Sequence, residues 1–200
     1  MPKPTEITLQ TLTGEAITPY LSALAALRIE VFRDWPYIYD GSLTYEEKYL
    51  QTYTQAERAA VVVAFAGDAV IGAATCLPLT AEPSHVQQPF VANGLDPQDY
   101  FYFGESVLRK AYRGRGIGVG FFEAREAQAR RFKAYKMAAF CAVQRPNEHP
   151  LRPAGFVPLD AFWGKRGYTK QPQLQCRMSW TDRGDTEQSE KTLTFWTKNL

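Results

Sequence analysis

The feature that most constrains this chain is a strand running straight into a glycine-rich turn and then a helix. From Tyr100 to Leu108, Phe101, Phe103, Glu105 and Val107 fall on alternate positions, the spacing of a half-buried strand with one face inward. The turn follows at once as Arg109-Lys110-Ala111-Tyr112-Arg113-Gly114-Arg115-Gly116-Ile117-Gly118-Val119-Gly120. From Gly116 to Lys133, helical spacing then puts Ile117, Phe121, Ala124 and Ala127 on one side and Glu123, Glu126, Arg130 and Lys133 opposite. Such a turn offers unpaired N–H groups and the positive end of a helix dipole to an anion, most often phosphate. Arg109, Lys110, Arg113 and Arg115 would add charge-assisted contacts, so the expected ligand is a phosphate or pyrophosphate.

Spacing narrows the choice of phosphate ligand. A dinucleotide fingerprint G-x-G-x-x-G begun at Gly114 meets Val119 at its last glycine, and begun at Gly116 it meets Phe121. No Gly-Lys followed by Ser or Thr is present, which removes the P-loop. What fits is R-x-x-G-x-G, formed by Arg113, Gly116 and Gly118 and preceded by the aromatic Tyr112.

The rest of the chain supplies a recognisable order of elements. A strand is expected over Ile7 to Leu12, then a helix begun by Thr18-Pro19 with Leu21, Leu24, Leu27 and Val31 as its apolar stripe. A second helix should start in the capping box Thr44-Tyr45-Glu46-Glu47 and run to about Thr52. Ala59 to Ala66 and Ala69 to Leu77, separated by Gly67-Asp68, read as a β-hairpin. Pro83 to Asn93 reads as a short helix, and Met137 to Val143 as a buried strand. Gln144 to Pro158, with Pro146, Pro150, Pro153 and Pro158, must be a loop. A short helix from Leu159 to about Lys165 should close on Gly167, followed by strands near Gln173 to Trp180 and Thr192 to Lys198. The polar stretch Thr181 to Lys191 between them reads as an exposed loop.

Composition excludes several classes. At 45% hydrophobic and 22% charged residues over 200 positions, the chain can build one ordinary core, so residues 1–200 are expected to form a single domain. A formal charge of +2 falls short of the basic excess that binding to nucleic acid demands. Cys76, Cys141 and Cys176 are odd in number and lack metal-ligand spacing, so no metal is expected and a reducing, cytoplasmic setting fits. Met1-Pro2-Lys3-Pro4-Thr5-Glu6 shows no leader pattern, and no apolar run is long enough to span a membrane. No G-x-S-x-G, H-E-x-x-H or paired-cysteine motif gives a hydrolase or zinc enzyme a foothold.

The turn motif, set between this strand and this helix, resembles the acetyl-CoA loop of the GNAT N-acetyltransferases. The element order and the closing stretch Phe162-Trp163-Gly164-Lys165-Arg166-Gly167-Tyr168 resemble that family too. The resemblance implies an α/β fold: a mixed, mostly antiparallel seven-stranded sheet flanked by about four helices. It also implies transfer of an acetyl group from acetyl-CoA to a primary amine by direct attack on the thioester. By this resemblance the amides of Arg113, Gly114, Arg115, Gly116, Ile117 and Gly118 would hold the pyrophosphate, and the strand at Val107 and Leu108 would pair with the pantetheine arm. Glu105 is the candidate base, directly or through water; its other reading is a salt bridge to Lys110 or Arg109.

Two departures from the family pattern bear on mechanism. Trp163 stands where many members carry a tyrosine acid, and Phe156 stands at the usual asparagine offset, with Asn147 nearby. They keep two alternatives open: a non-catalytic acyl-CoA-binding module, and an enzyme using a longer acyl-CoA. Acceptor recognition would fall to Trp35, Tyr37, Tyr39 and Asp40 between the first two helices, where an aromatic wall with one carboxylate suits an amine with an apolar or aromatic body, or else packs on the sheet. Asn147, Glu148 and His149 would contribute from a lid formed by the proline-rich loop. The acceptor could be a small molecule or a protein amine, and an exposed edge strand could pair two copies into a homodimer.

Overall fold

The computed structural model describes residues 6–200; Met1 to Thr5, most of the stretch read for a leader, lie outside the described residues. Seven strands make one sheet: β1 (Ile7–Leu12), β2 (Ala60–Ala66), β3 (Ala69–Pro78), β4 (Tyr100–Leu108), β5 (Met137–Val143), β6 (Thr169–Thr181) and β7 (Gln188–Asn199). Their order is β1-β2-β3-β4-β5-β7-β6, antiparallel throughout except for the parallel pair β4–β5. Five α-helices accompany it: α1 (Leu21–Phe32), α2 (Leu43–Gln55), α3 (Ser84–Ala92), α4 (Ile117–Arg131) and α5 (Asp160–Gly164). The fold is the seven-stranded mixed sheet that the sequence led us to expect.

Every residue of β2 is buried because both faces of the sheet are covered, which explains a run without alternation. Val61, Val63 and Phe65 pack with Leu24, Leu27 and Leu50 of α1 and α2. Val62, Ala64 and Ala66 pack on the other face with Ile117 and Phe121 of α4. Burying a side chain of this kind is worth about 2 kcal/mol, so this double layer anchors the fold.

Several local expectations need correction. Thr18-Pro19 lies in a 3-10 segment, Gly14–Tyr20, and α1 begins only at Leu21; the Thr18 hydroxyl donates to Glu15 instead of capping. Ser42, not Thr44, caps α2 by accepting from the Tyr45 amide, and Glu46 is drawn inward to an arginine. On α4, Ala127 is exposed while Arg125, Glu126 and Gln128 are buried. Glu126 there takes Lys198 of β7 at 2.8 Å and the Tyr168 hydroxyl at 3.1 Å, tying the helix to the far strands. β6 and β7 extend through much of the segment expected as a polar loop, pairing as far as Thr181 with Gln188.

The alternation of β4 also breaks, and this break creates the site. Against β3, Cys76 pairs with Phe103 but Ala74 pairs with Ser106, so Gly104 and Glu105 together face Thr75. This is a β-bulge, which bends the strand and turns the next side chains over. Phe101 and Phe103 therefore look toward α4, whereas Val107 and Glu105 look toward α1 and α2. Gly104 is required here because a Cβ would come within 2.5 Å of both the Thr75 and Tyr53 hydroxyl oxygens. The bend also limits β4–β5 pairing to Tyr100–Met137, Phe101–Ala138 and Tyr102–Ala139, after which β5 stays with β7 and β4 with β3. A wedge-shaped split opens between the two parallel strands.

Arg125 of α4 closes the bulge from beneath. Its guanidinium donates to the carbonyls of Thr75 at 3.4 Å and Glu105 at 3.2 Å, and to Phe121 at 3.2 Å, while lying over the rings of Phe103 and Phe122. Replacing Arg125 with Met would leave two buried carbonyls unpaired and should destabilise the fold by about 3 kcal/mol. Thermal unfolding should then begin about 6 to 12 °C lower, and an unchanged midpoint would show that the bulge does not need this brace.

Candidate active site

The split has α4 behind one face and α1 and α2 behind the other, so the groups at its two ends can be taken in turn. On the α4 side, the turn after β4 runs through a 3-10 segment, Lys110–Tyr112, and enters the helix at Gly116. Gly114 and Gly116 hold φ of +77° and +81°, a backbone that side chains with a Cβ rarely adopt, and a Cβ at either would meet nothing within 4 Å. The surface of the turn is thus bare backbone. The amides of Arg113, Val119 and Gly120 donate to Lys110, Gly116 and Gly116, but none of the amides from Gly114 to Gly118 finds a backbone acceptor among the described residues. Arg113 and Arg115 fold back onto the carbonyls of Leu108 and Ala111 at 3.2 Å each, which stiffens the turn. Arg109 instead pairs with Glu30 at 3.0 Å. Unpaired amides at a helix start, glycines that let a ligand approach, and adjacent arginines fit a pyrophosphate. Val107 and Leu108 lie just before this turn, on the edge of β4 that β5 has left.

On the opposite face stands Glu105, and its partner is Arg28 of α1 rather than Lys110 or Arg109. Arg28 also pairs with Glu46 of α2 and lies 4.3 Å from the centre of the Tyr49 ring. Burial works against this cation, but Glu105, Tyr49 and Glu46 outweigh it and hold its pKa above the ordinary arginine value. Sequence reasoning missed Arg28 and Glu46, though a signal existed. Arg28 falls in phase with Leu21, Leu24 and Val31, and Glu46 with Leu50 and Tyr53, so each is a charge written into an apolar stripe.

A ring of hydrogen bonds holds the second oxygen of Glu105. The Glu105 amide donates to Thr75 Oγ1 at 3.1 Å, and that hydroxyl donates to Tyr53 at 3.1 Å. Tyr49 donates to Glu105 Oε2 at 3.1 Å, which uses its one proton, so the 2.9 Å contact between the tyrosines must run from Tyr53 to Tyr49. Burial, and then the Glu105 charge, pushes the pKa of both phenols up, so they stay protonated and the ring stays closed.

Glu82 is a further carboxylate on this face that sequence reading did not single out. It follows a 3-10 turn, Leu79–Ala81, at the end of β3. Burial, and then the nearby charge of Glu105, pushes its carboxyl pKa up to about 7. A lone glutamate before a proline carries no pattern that would have revealed it.

The expected acceptor residues divide. Tyr37 packs on Phe32 and Trp180, and burial, followed by the charges of Cys141 and Glu105, raises its pKa. Burial, and then Glu46, raises the pKa of Tyr39. Trp35 instead packs against His149 and Phe156 of the proline-rich loop. Asp40 points outward to Arg33 at 3.2 Å, and Asn147 accepts from Arg152 at 2.7 Å within its own loop. The connection is pinned by Arg145, which donates to the carbonyls of Pro36 and Tyr37 at 2.9 and 2.8 Å and grips Asp182 at 2.6 and 2.8 Å. Trp163 fills core space between Phe140 and Trp196, each 5.1 Å away.

Among the described residues no helix is long and apolar enough to cross a membrane, and no cluster of His, Cys, Asp and Glu has the arrangement of a metal site. A family model described as Acetyltransferase (GNAT) family matches residues 24–156. Among solved structures, the chain is similar to ribosomal-protein-alanine N-acetyltransferase from Brucella melitensis, with 17% identity, 96% of this chain and 99% of that one covered, and a TM-score of 0.63. It is similar to yncA from Salmonella typhimurium, solved with its cofactor acetyl-CoA, at 12% identity, coverage of 97% and 94%, and a TM-score of 0.61. It is also similar to Arabidopsis thaliana NAA60 in complex with a bisubstrate analogue, at 10% identity, coverage of 96% and 99%, and a TM-score of 0.62. At these identities the structures speak for the fold alone, and no curated protein matches the sequence. The family model spans more than half of the chain and both ends of the split, and on that match the chain belongs to the GNAT acetyltransferase family.

Proposed function

We propose that this protein transfers an acetyl group from acetyl-CoA to a primary amine by direct attack of the amine on the thioester. The observation that carries this reading is the split between β4 and β5, with an anion-binding turn on one face and a buried carboxylate on the other. Acetyl-CoA supplies a thioester whose carbonyl carbon is open to attack.

The chain's own residues supply positioning and charge. The amides from Arg113 to Gly118 hold the pyrophosphate, and the free edge at Val107 and Leu108 aligns the pantetheine arm toward the bulge. Glu105 receives the ammonium group of the acceptor and, directly or through water, starts its deprotonation. Two carboxylates share the single Arg28 cation, so this pocket carries a net negative charge that favours an incoming ammonium. Tyr37 and Tyr39 line the acceptor side, with Trp35, Asp40 and Asn147 farther out toward the entrance. As the C–N bond forms and the C–S bond breaks, the nitrogen gives its second proton to water and the sulfur leaves as a thiolate that solvent then protonates. Thiols ionise near pKa 8.5, so this departure is tolerable without the tyrosine that Trp163 replaces.

Trp163 also favours a second reading, a non-catalytic acyl-CoA-binding module. Acetyl-CoA at about 100 times its Kd should stabilise the fold by about 2.7 kcal/mol, a rise of about 5 to 10 °C in Tm. Gly116→Val should abolish that rise, because the new side chain is strained at positive φ and stands where the phosphates approach. Glu105→Gln should keep the rise but lower amine-dependent thiol release by about 100-fold or more. A normal rise without thiol release across a broad panel of aliphatic and aromatic primary amines would leave the binding module as the function.

A further inference from the structure

The connection between α1 and α2, residues 33–42, crosses the split and is fastened on both sides of it. On the β4 side, Glu105 holds Arg28 of α1, whose guanidinium lies 5.1 Å from the centre of the Phe32 ring at the end of that helix. Phe32 packs on Tyr37 at 4.6 Å, and Tyr37 packs on Trp180 of β6 at 5.8 Å. In the order β4-β5-β7-β6, β6 lies two strands beyond β5, so this row of rings starts beside Glu105 and ends past the far wall of the split. Arg145, two residues after β5, makes the second fastening. Its guanidinium takes the carbonyls of Pro36 and Tyr37 and both oxygens of Asp182, and the two charged side chains are only 7% and 11% exposed.

The backbone of this strap is already engaged. The amides of Ile38, Tyr39 and Asp40 donate to the carbonyls of Asp34, Phe32 and Thr181 at 2.9, 2.8 and 3.0 Å. The Pro36 carbonyl accepts from Arg145, the Tyr37 carbonyl from Arg145 and Trp180, and the Ile38 carbonyl from the Arg183 amide. Ile38 holds a φ of +46° at 2% exposure, a left-handed backbone that a β-branched residue keeps only where its surroundings over-determine it. On the outside, Trp35 is covered by His149 and Phe156 of the proline-rich loop. An extended polypeptide is captured largely by main-chain hydrogen bonds to an open edge, and the middle of this strap has spent its own.

We infer that the acceptor is a free primary amine of low molecular weight rather than the amine of a polypeptide, and that the strap locked by Arg145 and Asp182 makes this choice. The inference rests on the acetyl-transfer reading above and narrows its acceptor. Beneath the strap stand the Glu105, Arg28 and Glu46 group and the rings of Phe32, Tyr37 and Tyr49, which suit an ammonium on a short apolar or aromatic body. An N-terminal amine brings its next residues with it, and they would need the space the strap fills. A lysine ε-amine reaches in on four methylenes, but its backbone would then lie against polar groups that are already paired.

The test uses thioether conjugates in which CoA is joined through an acetyl linker to an amine, so that binding reads the acceptor side without turnover. Two carry free amines, butylamine and 2-phenylethylamine. Two carry polypeptide amines: the N-terminus of Phe-Ala-Ala amide, which extends the phenylethylamine unit by a chain, and the lysine ε-amine of a blocked Ala-Lys-Ala tripeptide. The better free-amine conjugate should bind the parent protein about 10-fold or more tighter than either peptide conjugate. Asp182→Ala removes the carboxylate that Arg145 and Lys191 share, and should bring the peptide conjugates to within about 3-fold of it, with the acetyl-CoA stabilisation intact. Arg145→Lys keeps the cation but cannot span both carbonyls; it should narrow the gap in the same direction, and it replaces Asp182→Ala if that variant does not fold. Peptide conjugates that bind the parent as tightly as the free-amine conjugates, or a gap that persists unchanged in a folded variant, overturn the assignment while acetyl transfer stands. If neither acetyl-CoA nor any conjugate binds the parent, the acetyl-transfer reading fails and the narrower acceptor falls with it.

Discussion

The bulge in β4 makes two residues share the space of one opposite Thr75, and the layout of the site descends from that constraint. One extra residue bends the strand, which ends the pairing with β5 after Tyr102 and opens the split. The same residue inverts the side-chain alternation, so Glu105 emerges among α1 and α2 instead of against α4. A bulge leaves backbone groups without ladder partners, and here side chains answer three backbone groups at the bulge. Thr75 Oγ1 takes the Glu105 amide, and Arg125 takes the carbonyls of Thr75 and Glu105. Arg125 has no carboxylate partner among the described residues; carbonyl oxygens and two aromatic faces stabilise its charge, and burial lowers its pKa.

The residues expected to meet an acceptor depend on a different kind of restraint. The connection between α1 and α2 lacks regular structure, yet it is held as firmly as a strand. Arg145 binds its carbonyls and Asp182 together, Lys191 reaches Asp182 at 3.1 Å, and Trp180 donates to the Tyr37 carbonyl at 3.1 Å. Tyr39 and Asp182 form a β-bridge. This network ties residues far apart in sequence, so the aromatic residues of this connection stand in fixed positions.

The sequence was legible where one physical rule acts alone. β4 and β5 have the expected bounds because apolar runs bounded by polar turns leave little choice, and the turn from Arg113 to Gly118 declares itself through its glycines. It misled where tertiary contacts recruit polar residues inward. Glu126 read as solvent-facing and Ala127 as core, yet the partners of Glu126, Lys198 and Tyr168, lie at the far end of the chain. Glu46 read as part of a capping box because the local pattern allows it, while Arg28, 18 residues away, gives it a stronger partner. Glu105 was singled out from its place on the strand, but the bulge that turns it depends on Gly104 meeting Thr75 and Tyr53, a fact of packing rather than pattern.

The hydrogen-bond ring through Thr75, Tyr53, Tyr49 and Glu105 has a single sense of circulation, because each hydroxyl owns one proton and Glu105 as a carboxylate can only accept from it. The ring is therefore a record of charge. A neutral amide in place of that carboxylate would be able to donate to Tyr49, and the three hydroxyls would then be free to turn about together. The exchange of one oxygen for an amide nitrogen at the tip of one side chain would be transmitted back to the amide of the same residue, after travelling through two helical tyrosines and the neighbouring strand. The carboxylate end of Glu105 and its own backbone are, in this sense, in contact with each other by the long way round.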